Sequence, residues 1–316
     1  MPPVIERSWL GRRIVARRVV GRDPDDGRLL CGDVVGDLLR LDDREAYLEA
    51  ADGVVELRRD HVVAAKLAPP AAAAELALEE IASRGWLAGD TAWLGGWLLR
   101  ADHGFTGRAN SVLPLRAPGR PLDEALRQAR HWYAERDLPL RFANPTEARR
   151  LLDAELGERG WSPSEDVHVL ASRLDFLLDT LGHPAVEVTL SPRADPEWVA
   201  RYRDGPAGPH AIALLNRHDR VAFAQIRRDG ELVAIGRGVV DDGWLGISAV
   251  QVVPAARRQG LARAGLAALA RWGQSLGARR CYLQVASSNT AANTLYRELG
   301  FWVHHDYRYR TQPVLD

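Results

Sequence analysis

Six consecutive residues, Arg257-Arg258-Gln259-Gly260-Leu261-Ala262, have the types and spacing to hold a diphosphate. They follow a short apolar run, Val250, Val252 and Val253, that reads as a strand. Pro254 stops its ladder because it has no N–H to donate. An Ala/Leu-rich run of high helix propensity follows the six. Strand, basic turn with a glycine, helix: this order aims free backbone N–H groups at one spot. An anion there gains from the unpaired donors and from the helix dipole. Gly260 and Ala262 keep bulk away from that spot, and the arginines add countercharge.

The flanks make the pattern specific. Downstream come the strand Cys281-Tyr282-Leu283-Gln284-Val285, then Asn289, then Asn293-Thr294-Leu295-Tyr296-Arg297-Glu298-Leu299-Gly300-Phe301. Arg257-x-x-Gly260-x-Ala262, followed at this distance by Asn…Leu-Tyr-x-x-x-Gly-Phe, resembles the GNAT superfamily of N-acetyltransferases. The whole chain resembles an actinobacterial branch labelled histone-acetyltransferase-like, with a small N-terminal barrel and a tandem body. The resemblance implies acetyl-CoA as cosubstrate and an amine, on a small molecule or a protein lysine, as acceptor. It implies that backbone groups of Gln251, Val252 and Val253 hold pantetheine and the oxyanion, on a strand that bulges away from its neighbour. It assigns the pyrophosphate to Arg258, Gln259, Gly260, Leu261, Ala262 and Arg263, and places Asn289 beside the pantetheine arm.

Tyr296 is placed by the same resemblance beside the thioester sulfur. A phenol is protonated at neutral pH and can donate to a departing thiolate. The bland alternative for Tyr296 is a core aromatic; for Asn289 it is a helix N-cap before Thr290. One position departs from relatives that acetylate protein termini: their glutamate base is Gln284 here, which accepts no proton. Deprotonation then falls to water or to Glu187, Asp241, Asp242 or His210. The rival function is an acyl-CoA-responsive regulatory protein without turnover.

These residues need a frame. The chain has 316 residues, enough for two or three domains. Its 42 Lys+Arg balance 42 Asp+Glu, so no global charge draws it to nucleic acid or a membrane. Cys31 and Cys281 lie far apart in strand-like contexts and read as buried free thiols, as in a reducing cytoplasm. No Cys/His cluster has metal spacing, and no metal is expected. No apolar run of about 18 residues occurs, and the first residues lack the apolar core of a leader, so a cytoplasmic protein is expected.

Residues 1–68 read as all-β, with short strands at Arg13–Val20, Leu29–Val35, Leu38–Leu41, Ala46–Ala50, Val54–Leu57 and Val62–Leu67. They resemble a Src-homology-3-like barrel, which serves as a packing module or binds a protein partner. Pro69–Ala74 links it to a helix at Glu75–Arg84. From residue 114 to 161 the chain aligns with 254–301 at a constant offset of 140. Pro114 falls on Pro254, Trp132 on Trp272, Gly160 on Gly300 and Trp161 on Phe301. This reads as a duplication, with a degenerate GNAT-like half at 75–175 before the acetyltransferase half at 184–316. Opposite Gly260, Ala262 and Tyr296 stand Arg120, Leu122 and Leu156, so the first half keeps no cofactor chemistry. Its Gly107-Arg108-Ala109-Asn110-Ser111 cluster faces the other half or forms a plain turn. The fold class is α/β with a mixed sheet. In the tail, strand alternation turns His304 and His305 to opposite faces and predicts no single-face metal site.

Overall fold

The computed structural model describes residues 5–203 and 208–313. The chain divides into two compact units, Met1–Ala71 and Ala72–Asp316.

The first unit is an antiparallel five-stranded sheet built from β1 (Arg13–Arg22), β2 (Leu29–Leu41), β3 (Glu45–Ala50), β4 (Gly53–Arg58) and β5 (Val62–Leu67), in the order β4-β3-β2-β1-β5. Alternate residues point inward, so Ile14, Ala16, Leu38, Ala46, Leu48 and Leu57 form its core. Two strands expected at 29–35 and 38–41 are one. Gly36 continues the strand because the Glu49 carbonyl oxygen crosses there, 2.6 Å from where a Cβ would stand. Cys31 is exposed rather than buried. The reason is the length of the β1–β2 hairpin: β3 covers β2 only from Asp37 to Leu41, leaving Leu29, Leu30 and Cys31 beyond it.

In chain order the second unit comprises α1 (Ala72–Arg84), β6 (Asp90–Leu94), β7 (Trp97–Ala101), β8 (Leu113–Pro114), α2 (Leu122–Ala134), β9 (Arg141–Pro145), α3 (Arg150–Glu158), β10 (Ser162–Pro163), β11 (Val167–Arg173) and α4 (Leu174–Leu181). It continues with β12 (Thr189–Ser191), α5 (Pro196–Arg203), α6 (Pro209–Leu215), β13 (Val221–Arg228), β14 (Glu231–Asp241), β15 (Trp244–Val252), α7 (Leu261–Ser275), β16 (Arg280–Ala286), α8 (Thr290–Glu298) and β17 (Trp302–Thr311). The offset of 140 carries α3 residue for residue onto α8, and β9 into β16.

One nine-stranded sheet runs through this unit, in the order β10-β17-β11-β16-β15-β14-β13-β12, with β9 also beside β17. The last strands are exchanged. β11 lies between β16 and β17, and β17 passes on to pair with β9. In the β11–β17 ladder Val167 faces Tyr307, the residue 140 positions on. The final strand therefore does not lie against β16, as a chain read half by half leads one to expect. Val169 and Ala171 of β11 are fully buried there, so the exchange buries apolar surface of both halves at once.

α7 covers one face of the sheet, where Leu266, Ala267, Leu269 and Ala270 meet Val240, Leu245, Ile247 and Leu283. This amphipathic face holds the strands around the turn named above in place.

Candidate functional site

β15 and β16 run parallel only from Trp244–Arg280 to Ile247–Leu283. Beyond that point β15 bulges. Ala249 adopts a left-handed φ of 53°, and the register against β14 slips, with Ser248 opposite Arg237 but Gln251 opposite Ile235. One extra residue bends the strand away from its neighbour, while β16 is held along its whole length by β11. The edge of β15 from Ser248 to Val252 is left without a strand partner on the β16 side. A left-handed alanine costs about 1–2 kcal/mol, so the surrounding sheet must fix it.

The turn comes next. Gly260, at φ 76°, sits just before α7, and Arg258 is also left-handed at φ 59°. No side chain caps α7, whose first internal bond is Ala264 N–H to Gly260 O at 2.9 Å. The N–H groups of Leu261, Ala262 and Arg263 are thus free to meet an anion. A Cβ placed on Gly260 would meet nothing within 4 Å, so that side of the backbone is open. The end of β15, the turn, the starts of α7 and α8 and Arg201 of α5 line a groove of ≈ 960 Å³, at the upper end of small-molecule sites.

The predicted residues divide into three groups. Gln251, Val252, Val253, Arg258, Gly260, Leu261, Ala262, Arg263 and Asn289 all line the groove. The Leu261 side chain is buried in the core, so only its backbone faces the ligand space. Arg263 pairs with Glu298 at 2.9 Å, and the Gln251 amide donates to Tyr202 O at 2.9 Å. Arg258 makes no ion pair among the described residues. Gln259 stands outside the lining, its amide held by Arg228 and by Ala255 O. Asn289 caps α8, accepting from Ala292 N–H at 3.2 Å, which leaves its amide N–H₂ for the groove.

Tyr296 stands apart. On α8 the helical period turns Asn289, Ala292 and Leu295 to the groove, and Tyr296, one step on, toward Phe301 at a ring distance of 5.7 Å. Burial pushes its phenol up to about 12. The hydroxyl has no hydrogen-bond partner among the described residues, yet it is not among the fully enclosed unpaired atoms.

The family model for the C-terminal part of the probable histone acetyltransferase Rv0428c matches residues 73–310. Rv0428c of Mycobacterium tuberculosis is 32% identical over 313 residues, covering 96% of each chain. The chain belongs to this family. It is a GNAT-type N-acetyltransferase. A Bacillus subtilis relative, the uncharacterized N-acetyltransferase YobR, is 25% identical over 74% of this chain and 96% of its own. Among solved structures, a GCN5-related N-acetyltransferase from Kribbella flavida has a TM-score of 0.57 at 22% identity, over 76% of this chain and 96% of that one. A tandem GNAT protein from the clavulanic acid biosynthesis pathway has a TM-score of 0.50 at 15% identity, over 65% and 76%. Both likenesses concern the fold.

Within this Rv0428c-family chain the residues considered as bases stand away from the groove. Asp241 pairs with Arg84 at 3.0 Å, Asp242 and Glu187 are exposed, and His210 stacks on His103. A segment from before β8 reaches β16 directly. The Gly107–Ala109 segment is a 3₁₀ turn, and from it the Arg108 Nε donates to Gln284 Oε1 at 2.5 Å. A narrow cavity on the sheet face away from α7 is lined by Trp86, Arg108, Arg237, Ser248, Tyr282 and Gln284, among others. The sequence reading passed over Arg237. Its signal was a lone arginine in the otherwise apolar run Leu232–Val240.

The tail also differs from expectation. A bulge at His304, between the Val169–His305 and Leu170–Val303 pairs, puts both histidines on one side with their Nδ1 atoms 2.8 Å apart. His305 Nε2 meets the buried Glu79 at 3.0 Å. Burial, then the neighbouring His305 and Arg280, push His304 down to about 3. Among the described residues no group of three or more His, Cys, Asp or Glu has metal-holding geometry, and no helix is long and apolar enough to cross a membrane.

Proposed function

We propose that the chain transfers the acetyl group of acetyl-CoA to an amine by direct attack in a ternary complex. The observation that carries this reading is the parting of β15 from β16 beside the uncapped, glycine-led start of α7. Free backbone groups from Ser248 to Val252 suit a pantetheine arm lying like an added strand. The N–H groups of Leu261, Ala262 and Arg263, with Arg258 unpaired above them, suit the pyrophosphate. The Asn289 amide is positioned for the arm's carbonyl. In the step itself the amine nitrogen bonds to the thioester carbon, and a backbone N–H of the parted strand stabilises the oxyanion. The carbon–sulfur bond then breaks and the thiolate takes a proton. Water carries off the amine's proton, since Gln284 cannot.

Tyr296 is our proton donor, supported by a phenol that stays protonated through the working pH range and by an oxygen that is not sealed in. Its packing on Phe301, outside the groove lining, favours the second reading, a core aromatic with a water as donor.

We assign residues 75–175 and 184–316 to two GNAT-like halves, of which only the second binds cofactor. Residues 1–68 are assigned to a Src-homology-3-like barrel open to a protein partner, a reading that the exposed Val20, Leu29, Leu30 and Val35 support. Calorimetry with acetyl-CoA and release of free CoA thiol against a panel of amines and lysine peptides test the proposal. One acetyl-CoA per chain and an amine-dependent thiol signal are expected. Two equivalent sites per chain, or binding with no turnover on any amine, refute it, the latter in favour of the regulatory alternative.

A further inference from the structure

Acetyl transfer asks only a neutral amine of its acceptor, yet the sheet face away from α7 carries one buried cation, Arg237, beside a half-buried one, Arg108. Arg237 is 1% exposed. It donates to Gly85 O at 3.0 Å and to Leu215 O at 3.2 and 3.3 Å, carbonyls at the C-terminal ends of α1 and α6. Helix ends offer only partial negative charge. Arg108 spends its Nε on the neutral Gln284 amide. Both guanidiniums lie on the ring of Trp86, at 4.8 and 5.3 Å. Among the described residues neither meets a carboxylate, although buried charges are ordinarily paired. Burial, with Arg108 adding to it, pushes Arg237 down to about 10. The Ser248 hydroxyl on the same cavity wall is enclosed and has no partner. The free space is ≈ 10 Å³, room for one water.

We propose that the acceptor is an amine that also carries a carboxylate, which Arg108 and Arg237 bind at this cavity. The inference rests on the acetyl-transfer reading above and adds the substrate class. The Arg108 guanidinium fork, a lone hydroxyl donor and the fixed positive charge of Arg237, whose own nitrogens hold Gly85 O and Leu215 O, suit a carboxylate. A carboxylate is larger than this space, so it enters only as the half-buried Arg108 guanidinium leaves Gln284 and turns to it. Ser248 at the cavity and Val250 at the groove are two residues apart on one strand, roughly 7 Å. The amine therefore stands within a few bonds of the carboxylate, as in an amino acid.

The test compares free amino acids with their carboxamides as acceptors, reading thiol release. We expect the acid to exceed the amide in kcat/KM by roughly ten- to a hundredfold. Arg108→Gln should bring that ratio near one without changing acetyl-CoA affinity, and Arg108→Lys, which keeps the charge, should retain part of it. A ratio near one in the unaltered protein, or a preference that survives Arg108→Gln, overturns the proposal. If no amine of any kind releases thiol, the acetyl-transfer reading fails by itself, and the anion site is judged by melting in acetate against chloride at equal ionic strength. A rise in Tm specific to acetate and lost in Arg108→Gln supports the site; no rise, or a rise unchanged in that variant, overturns it. An acetate effect beside equal turnover of acid and amide means a free anion is bound, which overturns the assignment to the acceptor.

Discussion

Replacing Tyr296 by phenylalanine removes one oxygen and leaves the ring on Phe301. The hydroxyl has no hydrogen-bond partner among the described residues, so the change breaks no bond in the resting protein. Stability should stay within about 0.5 kcal/mol, a shift in Tm of roughly 1–2 °C for a unit of this size. Acetyl-CoA affinity should hold as well, because the groove is walled by Asn289, Ala292 and Leu295 of α8 rather than by Tyr296. Catalysis is where the loss should appear. A general acid acts as the thiolate departs, so its removal affects the transition state more than ground-state binding. That contribution is about a hundredfold or more, on the order of 3 kcal/mol in the barrier.

The assay follows thiol release with an active acceptor and determines kcat and KM for acetyl-CoA, with Tm in parallel. The signature of the donor is a kcat lower by about two orders of magnitude at unchanged KM and Tm. With the phenol at about 12, turnover of the unaltered protein should also show no alkaline decline from this group below about pH 11. A Tyr296→Phe variant with full kcat refutes the donor and leaves Tyr296 as the core aromatic that its burial favours. A matched fall in kcat and Tm would show packing damage instead.

Gly260→Glu should abolish acetyl-CoA binding in calorimetry, because it places bulk and negative charge on the open side of the turn and forces a side chain into φ 76°. Unchanged affinity would remove the pyrophosphate assignment. His304, held near 3 when folded against about 6.5 unfolded, costs nothing above pH 7, where both states are neutral. As pH falls below 6.5 the unfolded chain takes the proton and the folded one does not, so stability should drop, by about 2 kcal/mol at pH 5. His304→Gln should remove that part of the acid sensitivity in denaturant melts at pH 5 and 7, and an identical pH slope would refute it. Residues 184–316 expressed alone should fail to fold, lacking β11. A cooperative transition with acetyl-CoA binding in that fragment would refute the structural role given to the exchange.

The site was legible in the sequence where chemistry and local backbone coincide. Gly260 is conspicuous because a left-handed turn and a diphosphate both exclude a side chain, and the Val250–Ala268 run carries strand, stop and helix in one window. Asn289 is the α8 cap that its place before Thr290 suggests. Cys31 and the two histidines were misread for a common reason. Each depends on where a ladder ends or slips, and alternation carries no signal for a bulge such as the one at His304. Arg108 and Arg237 lie 129 positions apart in the chain. Only the folded sheet brings them to the same tryptophan.

The crossing of β11 and β17 ties the segment before β12 to the groove. The segment before β12 has Arg120 at the position 140 before Gly260. It supplies β11, which holds β16 in place while β15 bulges away. It also supplies Arg108 to the cavity beneath the parted strands. Val169 of β11 faces Gln284 on one side and His305 on the other. A change there would reach the cofactor groove, the Arg108 contact and the Glu79–His305 pair together. The groove beside β15 thus depends on β11, a strand that comes before β12 in the chain.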